Sequence, residues 1–370
     1  MTSVSTTPES PAAVPGRRGL RWTRILAPLV SVAIVVAVFW YFLPQFTSIS
    51  AVWASIRSMT SLELGLLALA ALWNLATYWF VMVSTMPGLT HRQAAVVTES
   101  STAVSNTVPG GGAIGIAMSY GMYSSWGFSR SRSSVSLLVA GVWNNFAKLA
   151  MPVLALALLA FTGGGGGGGR VVAGALGVAG LVGAVTVFAL VLRSKESARR
   201  IGLGAGRVAS AILRLFRRPP VHGWELATVK FRDRTILLLR ARWIRITATT
   251  LVSHLSLFLV LLLALRFVGV SEGEVSWAEA LAVFAFARLL SAIPLTPGGL
   301  GVVELALITG LAAAGGVRAE VAAGVLIFRA LTYVLPIPVG LLTYIFWRRN
   351  RSWRRKPNSA PRTSLVPETT

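Results

Sequence analysis

The fold of this chain is decided by residues 284–315, which read FAFARLLSAIPLTPGGLGVVELALITGLAAAG. An apolar run carrying Arg288 comes first, and a second apolar run with Glu304 near its start comes last. Between them lie the helix-breaking residues Pro294, Pro297, Gly298, Gly299 and Gly301. Each apolar run is shorter than the roughly 20 residues that a helix needs to cross a bilayer. We therefore interpret the stretch as a re-entrant hairpin or a broken helix.

The charges in this stretch are candidates for a functional site. Irregular backbone at membrane depth survives only where it is covered by protein or lines a water-filled cavity. A charged side chain there is costly and commonly functional, which applies to both Arg288 and Glu304. The alternative is that such charges only tie the broken helices together.

A second copy of the pattern occupies residues 94–123, which read AAVVTESSTAVSNTVPGGGAIGIAMSYGMY. Its break consists of Pro109, Gly110, Gly111 and Gly112. Glu99 precedes this break, and each copy is followed by a long apolar run with an internal cation, Lys148 in the first and Arg329 in the second. Paired interrupted segments in two halves of a membrane protein indicate an inverted repeat with a binding site at the repeat interface. We place the repeats at residues 62–161 and 246–347.

The composition indicates a polytopic membrane protein. Of the 370 residues, 54% are hydrophobic and 13% charged, and the mean hydropathy is +0.69, whereas about a quarter of the residues in soluble domains are charged. The formal charge is +23, and 4, 14 and 7 of the basic residues lie in residues 1–24, 193–245 and 348–370. These segments flank apolar spans, so the charge fits the positive-inside rule and predicts no nucleic-acid partner. The absence of cysteine excludes disulfides and thiolate sites.

The hydropathy pattern predicts an all-α protein with six full crossings and two hairpins. The predicted crossings are residues 25–43, 62–83, 135–161, 171–192, 246–268 and 321–347. Both tails are basic and are therefore expected in the cytoplasm, which requires an even number of crossings of the cell membrane. The first hairpin then opens to the cytoplasm and the second to the outside, so their tips are expected to meet.

The membrane domain is predicted to span residues 25–347, and the two tails and the long loop between its apolar spans are basic. Residues 1–24 are predicted to be a disordered cytoplasmic tail, and residues 348–370 a second tail. Residues 193–245 are predicted to be a cytoplasmic loop with an amphipathic helix on the inner leaflet, where anionic lipid attracts each cation by roughly 1 kcal/mol. The alternative is that this loop serves only as a topology signal.

At NTVPGGGAIGIAMSYGMYSSWG and RLLSAIPLTPGGLGVVE, followed by Arg329 in VLIFRALTYVLPIPVG, the chain resembles a known family. It is similar to the flippase-like transmembrane domain of lysylphosphatidylglycerol synthases and their stand-alone relatives. The resemblance covers most of residues 25–347 and implies lipid translocation or another lipid-handling role. Members with lysyl-transfer activity carry a cytoplasmic transferase domain after the membrane region. Only 23 residues follow Trp347 here, so aminoacyl transfer is not implied. We also expect no other enzyme activity and no cofactor.

A phosphate headgroup that crosses a bilayer must be stabilised away from bulk water, and the expected ligand is a phospholipid or a polyprenyl-phosphate lipid. Helices that begin after Gly112 and Gly299 are expected to point their positive N-terminal ends at the hairpin tips. The expected substrate-binding residues are the cations Arg288, Arg329 and Lys148, the anions Glu99 and Glu304, and the neutral Asn144 and Thr296. Further neutral partners are expected at Ser100, Ser101, Ser105, Asn106 and Thr107. We also expect Arg288 to pair with Glu304 across the second break.

Two other functions stay open at this point. The chain could be a membrane subunit or accessory of a lipid or glycolipid transferase, or a scaffold of the cell envelope that transports nothing. The transferase subunit is disfavoured, because the sequence contains no HExxH motif. His254 lies beside Ser253 and Ser256 and could relay protons, although a hydrogen-bonded core histidine is the simpler interpretation. The sequence indicates no particular oligomeric state.

Overall fold

The computed structural model describes residues 49–108, 111–161, 193–215, 223–291 and 297–353, and scattered positions between 179 and 190. The α-helices of these ranges are α1 (Ile49–Ser58), α2 (Ser61–Thr85), α3 (His91–Thr107), α4 (Gly111–Ser125), α5 (Arg130–Phe161), α6 (Lys195–Leu215), α7 (Trp224–Phe267), α8 (Trp277–Leu290), α9 (Val302–Ala313), α10 (Arg318–Arg329) and α11 (Pro336–Arg349). Short helical turns at Pro297–Gly299, Ala330–Val334 and Arg351–Trp353 complete them. The described ranges contain no strand, as predicted.

Both predicted hairpins are present, and each begins at the same kind of helix cap. The Thr90 hydroxyl accepts from the backbone N–H of Gln93 at 3.2 Å before α3, and the Ser276 hydroxyl accepts from that of Glu279 at 3.3 Å before α8. The side chains of Gln93 and Glu279 in turn accept hydrogen bonds from the backbone N–H groups of Thr90 and Ser276. These reciprocal hydrogen bonds form a capping box at the start of each helix. Helix α3 then packs against α4, and α8 against α9.

Glycines allow the two arms of each hairpin to approach closely. A Cβ added to Gly115 on α4 would lie 2.6 Å from the Ser105 Oγ on α3. A Cβ added to Gly310 on α9 would lie 2.6 Å from Cγ1 of Val283 on α8. Membrane helices commonly carry small residues at positions where they pack closely.

Four of the predicted residues lie outside the described residues: Pro109 and Gly110 of the first break, Pro294 of the second break, and the candidate ligand Thr296.

Within the described ranges, four segments are long and apolar enough to cross a membrane: Ser61–Thr85, Arg130–Leu159, Thr228–Phe267 and Arg318–Arg349. They correspond to four of the six predicted crossings. The predicted crossing at 25–43 lies outside the described residues, and that at 171–192 is described only at scattered positions. The polytopic helical fold is therefore confirmed, while the total of six crossings stays a prediction.

The basic segment 193–245 is more helical than the sequence indicated. It contains the predicted amphipathic helix, α6, which packs against α7. However, α7 begins at Trp224 and continues through the predicted membrane boundary as one helix of 44 residues. No proline or glycine interrupts this helix, and charged residues by themselves do not end a helix. The charges therefore mark a change of environment and not the end of the helix.

The core lies where the second hairpin packs against α7 and α10. Leu261 and Leu265 of α7, Leu307 and Leu311 of α9, and Val325 of α10 are fully buried there. On the other side of the second hairpin, α3 contacts the turn Pro297–Gly299 and packs along α11. The two hairpins therefore contact each other at the second break.

Candidate functional site

A cavity of about 270 Å³ lies where the first hairpin meets the second break, α2, α5 and the helices α10 and α11. Four of the predicted charged residues line it: Glu99, Lys148, Arg288 and Arg329. They come from α3, α5, α8 and α10, so four separate elements bring these charges together. Gly298 of the second break and Asn106 of the first hairpin also line the cavity. These four predicted charges thus lie around one space.

Arg329 binds the second break from the neighbouring helix. Its Nε donates to Oε1 of Glu304 at 2.6 Å, and its Nη2 donates to the carbonyl of Gly298 at 3.2 Å. The ring centroid of Tyr333 lies 4.5 Å from its Cζ, in a cation–π arrangement. Arg329 and Glu304 are both buried, so this is an interior ion pair.

The predicted pair of Arg288 with Glu304 does not form in the described part of the chain. Gly298, Gly299 and Gly301 have φ values of 58°, 72° and 79°, a region that favours glycine. These turns bring the start of α9, and with it Glu304, beside Arg329 of α10. The partner of Glu304 therefore comes from the following helix and not from the preceding arm of the hairpin.

Arg288 and Lys148 are the cations of the cavity that remain without an ion pair among the described residues. The Nε of Arg288 is buried and has no hydrogen-bond partner there. Arg288 is only half-buried as a whole, because part of its side chain lines the cavity. An unpaired guanidinium beside an ammonium group makes this side of the cavity positive.

Glu99 supplies the carboxylate of the cavity and is only 2% exposed. Its Oε1 accepts a hydrogen bond from Nε1 of Trp79 on α2 at 2.7 Å. Trp79 could not be recognised as a site residue from the sequence, because an indole in an apolar helix commonly packs or anchors at the membrane interface. Asn74 and Tyr78, which lie earlier on α2 and line the cavity, were missed for a similar reason.

Asn106 and Tyr333 join the first hairpin to the last helix through two hydrogen bonds. The Asn106 amide donates to the carbonyl of Tyr333 at 3.1 Å, and the Tyr333 hydroxyl donates to the carbonyl of Asn106.

Tyr333 lies in a π-helical turn, where the backbone N–H of Leu335 donates to the carbonyl of Ala330 at 2.8 Å. Pro336, which has no N–H to donate, follows this turn and was the sequence signal that could have indicated it.

Other predicted residues, Glu304 among them, do not line the cavity. Asn144 is half-buried on α5 but does not line it. Gly111 and Gly112 begin α4, and Gly301 caps α9. His254 is 4% exposed, and its Nδ1 lies 3.0 Å from the carbonyl of Thr250. No group of three His, Asp or Glu residues able to hold a metal ion occurs in the described ranges.

The comparison with known proteins agrees with the resemblance seen in the sequence. A family model described as "Lysylphosphatidylglycerol synthase TM region" matches residues 28–340, which is most of the chain. This match includes both hairpins and every residue that lines the cavity. No curated protein matches the chain significantly. The match, together with the apolar helices, indicates a multi-pass membrane protein with a lipid-related function.

Proposed function

This chain belongs to the family of the lysylphosphatidylglycerol synthase TM region, and from this membership we propose that it translocates lipids across the cell membrane. The headgroup is held in the cavity between the two hairpins while the acyl chains stay in the bilayer. In this proposal the chain catalyses no covalent step, and its basic ends face the cytoplasm.

The observation that carries this proposal is the unpaired Arg288, which lines the cavity next to Lys148. A charged group removed from water costs several kcal/mol unless an opposite charge and hydrogen bonds compensate it. A phosphate oxyanion provides both, because the guanidinium donates two parallel hydrogen bonds to it and the ammonium group adds a third contact. A headgroup phosphate therefore fits this part of the cavity.

Arg329 has a different role in this proposal. Its charge is already balanced by Glu304, and its Nη2 holds the carbonyl of Gly298. We assign Arg329 to positioning the second break, and Arg288 and Lys148 to binding the phosphate. A change at Arg329 should consequently affect folding as well as lipid movement.

The charge of the cavity favours a headgroup with a net negative charge. When the Arg329–Glu304 pair is taken as neutral, the lining carries Lys148, Arg288 and the opposing Glu99. The net charge of the lining is therefore positive. An anionic headgroup, such as that of phosphatidylglycerol or a polyprenyl phosphate, lowers this net charge. A zwitterionic headgroup leaves the net charge unchanged, and a lysyl-bearing headgroup increases it. We therefore propose an anionic lipid as the substrate.

The test measures the leaflet distribution of labelled lipids in liposomes with and without the purified chain. Phosphatidylglycerol or a polyprenyl phosphate should move, and Arg288→Gln should abolish most of this movement. Arg318→Gln is the matched control, because Arg318 is exposed at the start of α10 and does not line the cavity. Movement of no lipid by the folded protein would contradict translocation and favour the scaffold or the transferase subunit. Equal movement with Arg288→Gln would place the headgroup elsewhere.

A further inference from the structure

A second cavity, of about 420 Å³, lies at the basic end of the helix bundle. The end of α2, the start of α5 and the middle of α7 form its walls. It shares no lining residue with the cavity between the hairpins. Arg132, Arg234 and Arg242 line it, and no carboxylate does. This second cavity is therefore more strongly positive than the first.

The three arginines are available for a ligand to different degrees. Arg132 and Arg234 are exposed, and their guanidinium groups form no ion pair with a described residue. Arg242 is half-buried, and its Nη1 donates to the carbonyl of Val83 at 3.3 Å, which fixes the guanidinium at the cavity wall. Three like charges gathered around one space repel each other unless an anion lies between them.

The start of α5 adds hydrogen-bonding groups to the same space. Ser129 and Ser131 both line the cavity. The Ser129 hydroxyl accepts from the backbone N–H of Arg132 at 3.3 Å, while the Ser131 hydroxyl is buried and has no partner among the described residues. The N-terminal end of a helix is positive. An anion with several acceptor oxygens, such as a phosphate group, satisfies these groups together.

The remaining wall of the cavity is apolar and indicates that the ligand is an amphiphile. Leu237 lines the cavity and is 70% exposed, with Leu238 and Val135 beside it. Further along the same helix, Trp243 and Ile244 are 56% and 65% exposed. A free phosphate ion would leave this apolar surface uncovered, whereas the acyl chains of a lipid would cover it.

We propose that this second cavity binds an anionic phospholipid from the leaflet at the basic end of the bundle. Its phosphate lies among Arg132, Arg234 and Arg242, and its acyl chains lie over Leu237. The site is separate from the cavity between the hairpins, and its occupation does not depend on lipid movement.

The absence of native cysteine permits a local test of this site. Ala241 lines the cavity and is exposed, whereas Ala248, two turns along the same helix, is exposed and lies outside it. In the purified full chain, the reaction rate of a thiol reagent is measured for Ala241→Cys and for Ala248→Cys. Phosphatidylglycerol should slow the reaction of the first about tenfold and leave the second unchanged. Phosphatidylcholine with the same acyl chains should protect neither.

Charge variants decide whether the protection comes from a site or from general surface attraction. Arg132→Gln with Arg234→Gln, made in Ala241→Cys, should remove the protection. Arg130→Gln with Arg240→Gln removes the same amount of charge from exposed residues outside the cavity, and the protection should remain. Equal loss in both pairs, or no protection by phosphatidylglycerol, would overturn the site. Equal protection by glycerol 3-phosphate would assign the cavity to a soluble phosphate and overturn the lipid. If the double variant does not fold, Arg234→Gln alone provides the comparison.

Discussion

Arg329 and Glu304 form a buried ion pair between two helices, with Nε and Oε1 2.6 Å apart and the residues 25 positions apart in the chain. Their side chains are only 9% and 12% exposed, so water screens the pair weakly. The pair joins the start of α9 to the end of α10 and, through Gly298, also fixes the break that precedes α9.

Removing one partner of this pair should destabilise the protein strongly. Arg329→Gln or Glu304→Gln leaves one buried charge uncompensated, which costs about 3–5 kcal/mol of unfolding free energy. Arg329→Met together with Glu304→Leu removes both charges and should recover most of that loss. Denaturant unfolding in detergent measures these changes. The exposed Glu196 pairs with Arg200, and Glu196→Gln should change stability little. Strictly additive losses in the double variant would contradict the pairing.

Gly298 should tolerate no side chain. Its φ is +58°, and an added Cβ would lie 2.1 Å from Cε2 of Tyr333. Gly298→Ala should therefore displace the ring that lies over Arg329 and lower the unfolding temperature clearly. Gly112 provides the control, because an added Cβ there meets nothing within 4 Å. Gly112→Ala lies in a helix and should be neutral or stabilise by up to about 1 kcal/mol. Similar losses in the two variants would refute the crowding at Gly298.

The hydroxyl and the ring of Tyr333 should contribute separately. Tyr333→Phe removes the hydrogen bond to the carbonyl of Asn106 and keeps the ring beside Arg329, so we expect a loss of about 0.5–1.5 kcal/mol. Tyr333→Ala also removes the buried ring and should cost about 3–5 kcal/mol. Unfolding free energies of the two variants give the comparison. A loss in Tyr333→Phe as large as that in Tyr333→Ala would show that the ring contributes nothing.

The orientation of the chain can be tested with single cysteines. Ser271 and Ser352 are exposed in the loop after α7 and after α11, respectively. Ser271→Cys should react with a membrane-impermeant thiol reagent in intact cells, because its loop is predicted outside. Ser352→Cys should react only after permeabilisation, because it lies in a basic segment. Labelling of Ser352→Cys alone in intact cells would show that the chain has the opposite orientation. Labelling of both variants in intact cells would contradict the predicted number of crossings.

The two hairpins could be predicted because a Pro-Gly break between two short apolar arms leaves few other structures possible in a membrane. The partner of Glu304 could not, because spacing within a hairpin does not show which face α9 turns toward α10. Likewise, Trp79 in an apolar helix gave no sign that its N–H bonds Glu99. The length of α7 could not be predicted either, because the basic residues before position 246 indicate a cytoplasmic loop, whereas nothing in Trp224–Phe267 interrupts the helix.

The π-helical turn Ala330–Val334 changes what the last helix can contact. An i→i+5 hydrogen bond accommodates one extra residue, and one residue corresponds to a rotation of about 100° around a helix axis. Helix α10 packs against α7, and α11 packs against α3 of the first hairpin, where Gly340 meets the backbone of Glu99. Without the extra residue, α11 would present a different side to α3, and Gly340 would no longer face it. This local widening thus sets which side of α11 faces the first hairpin.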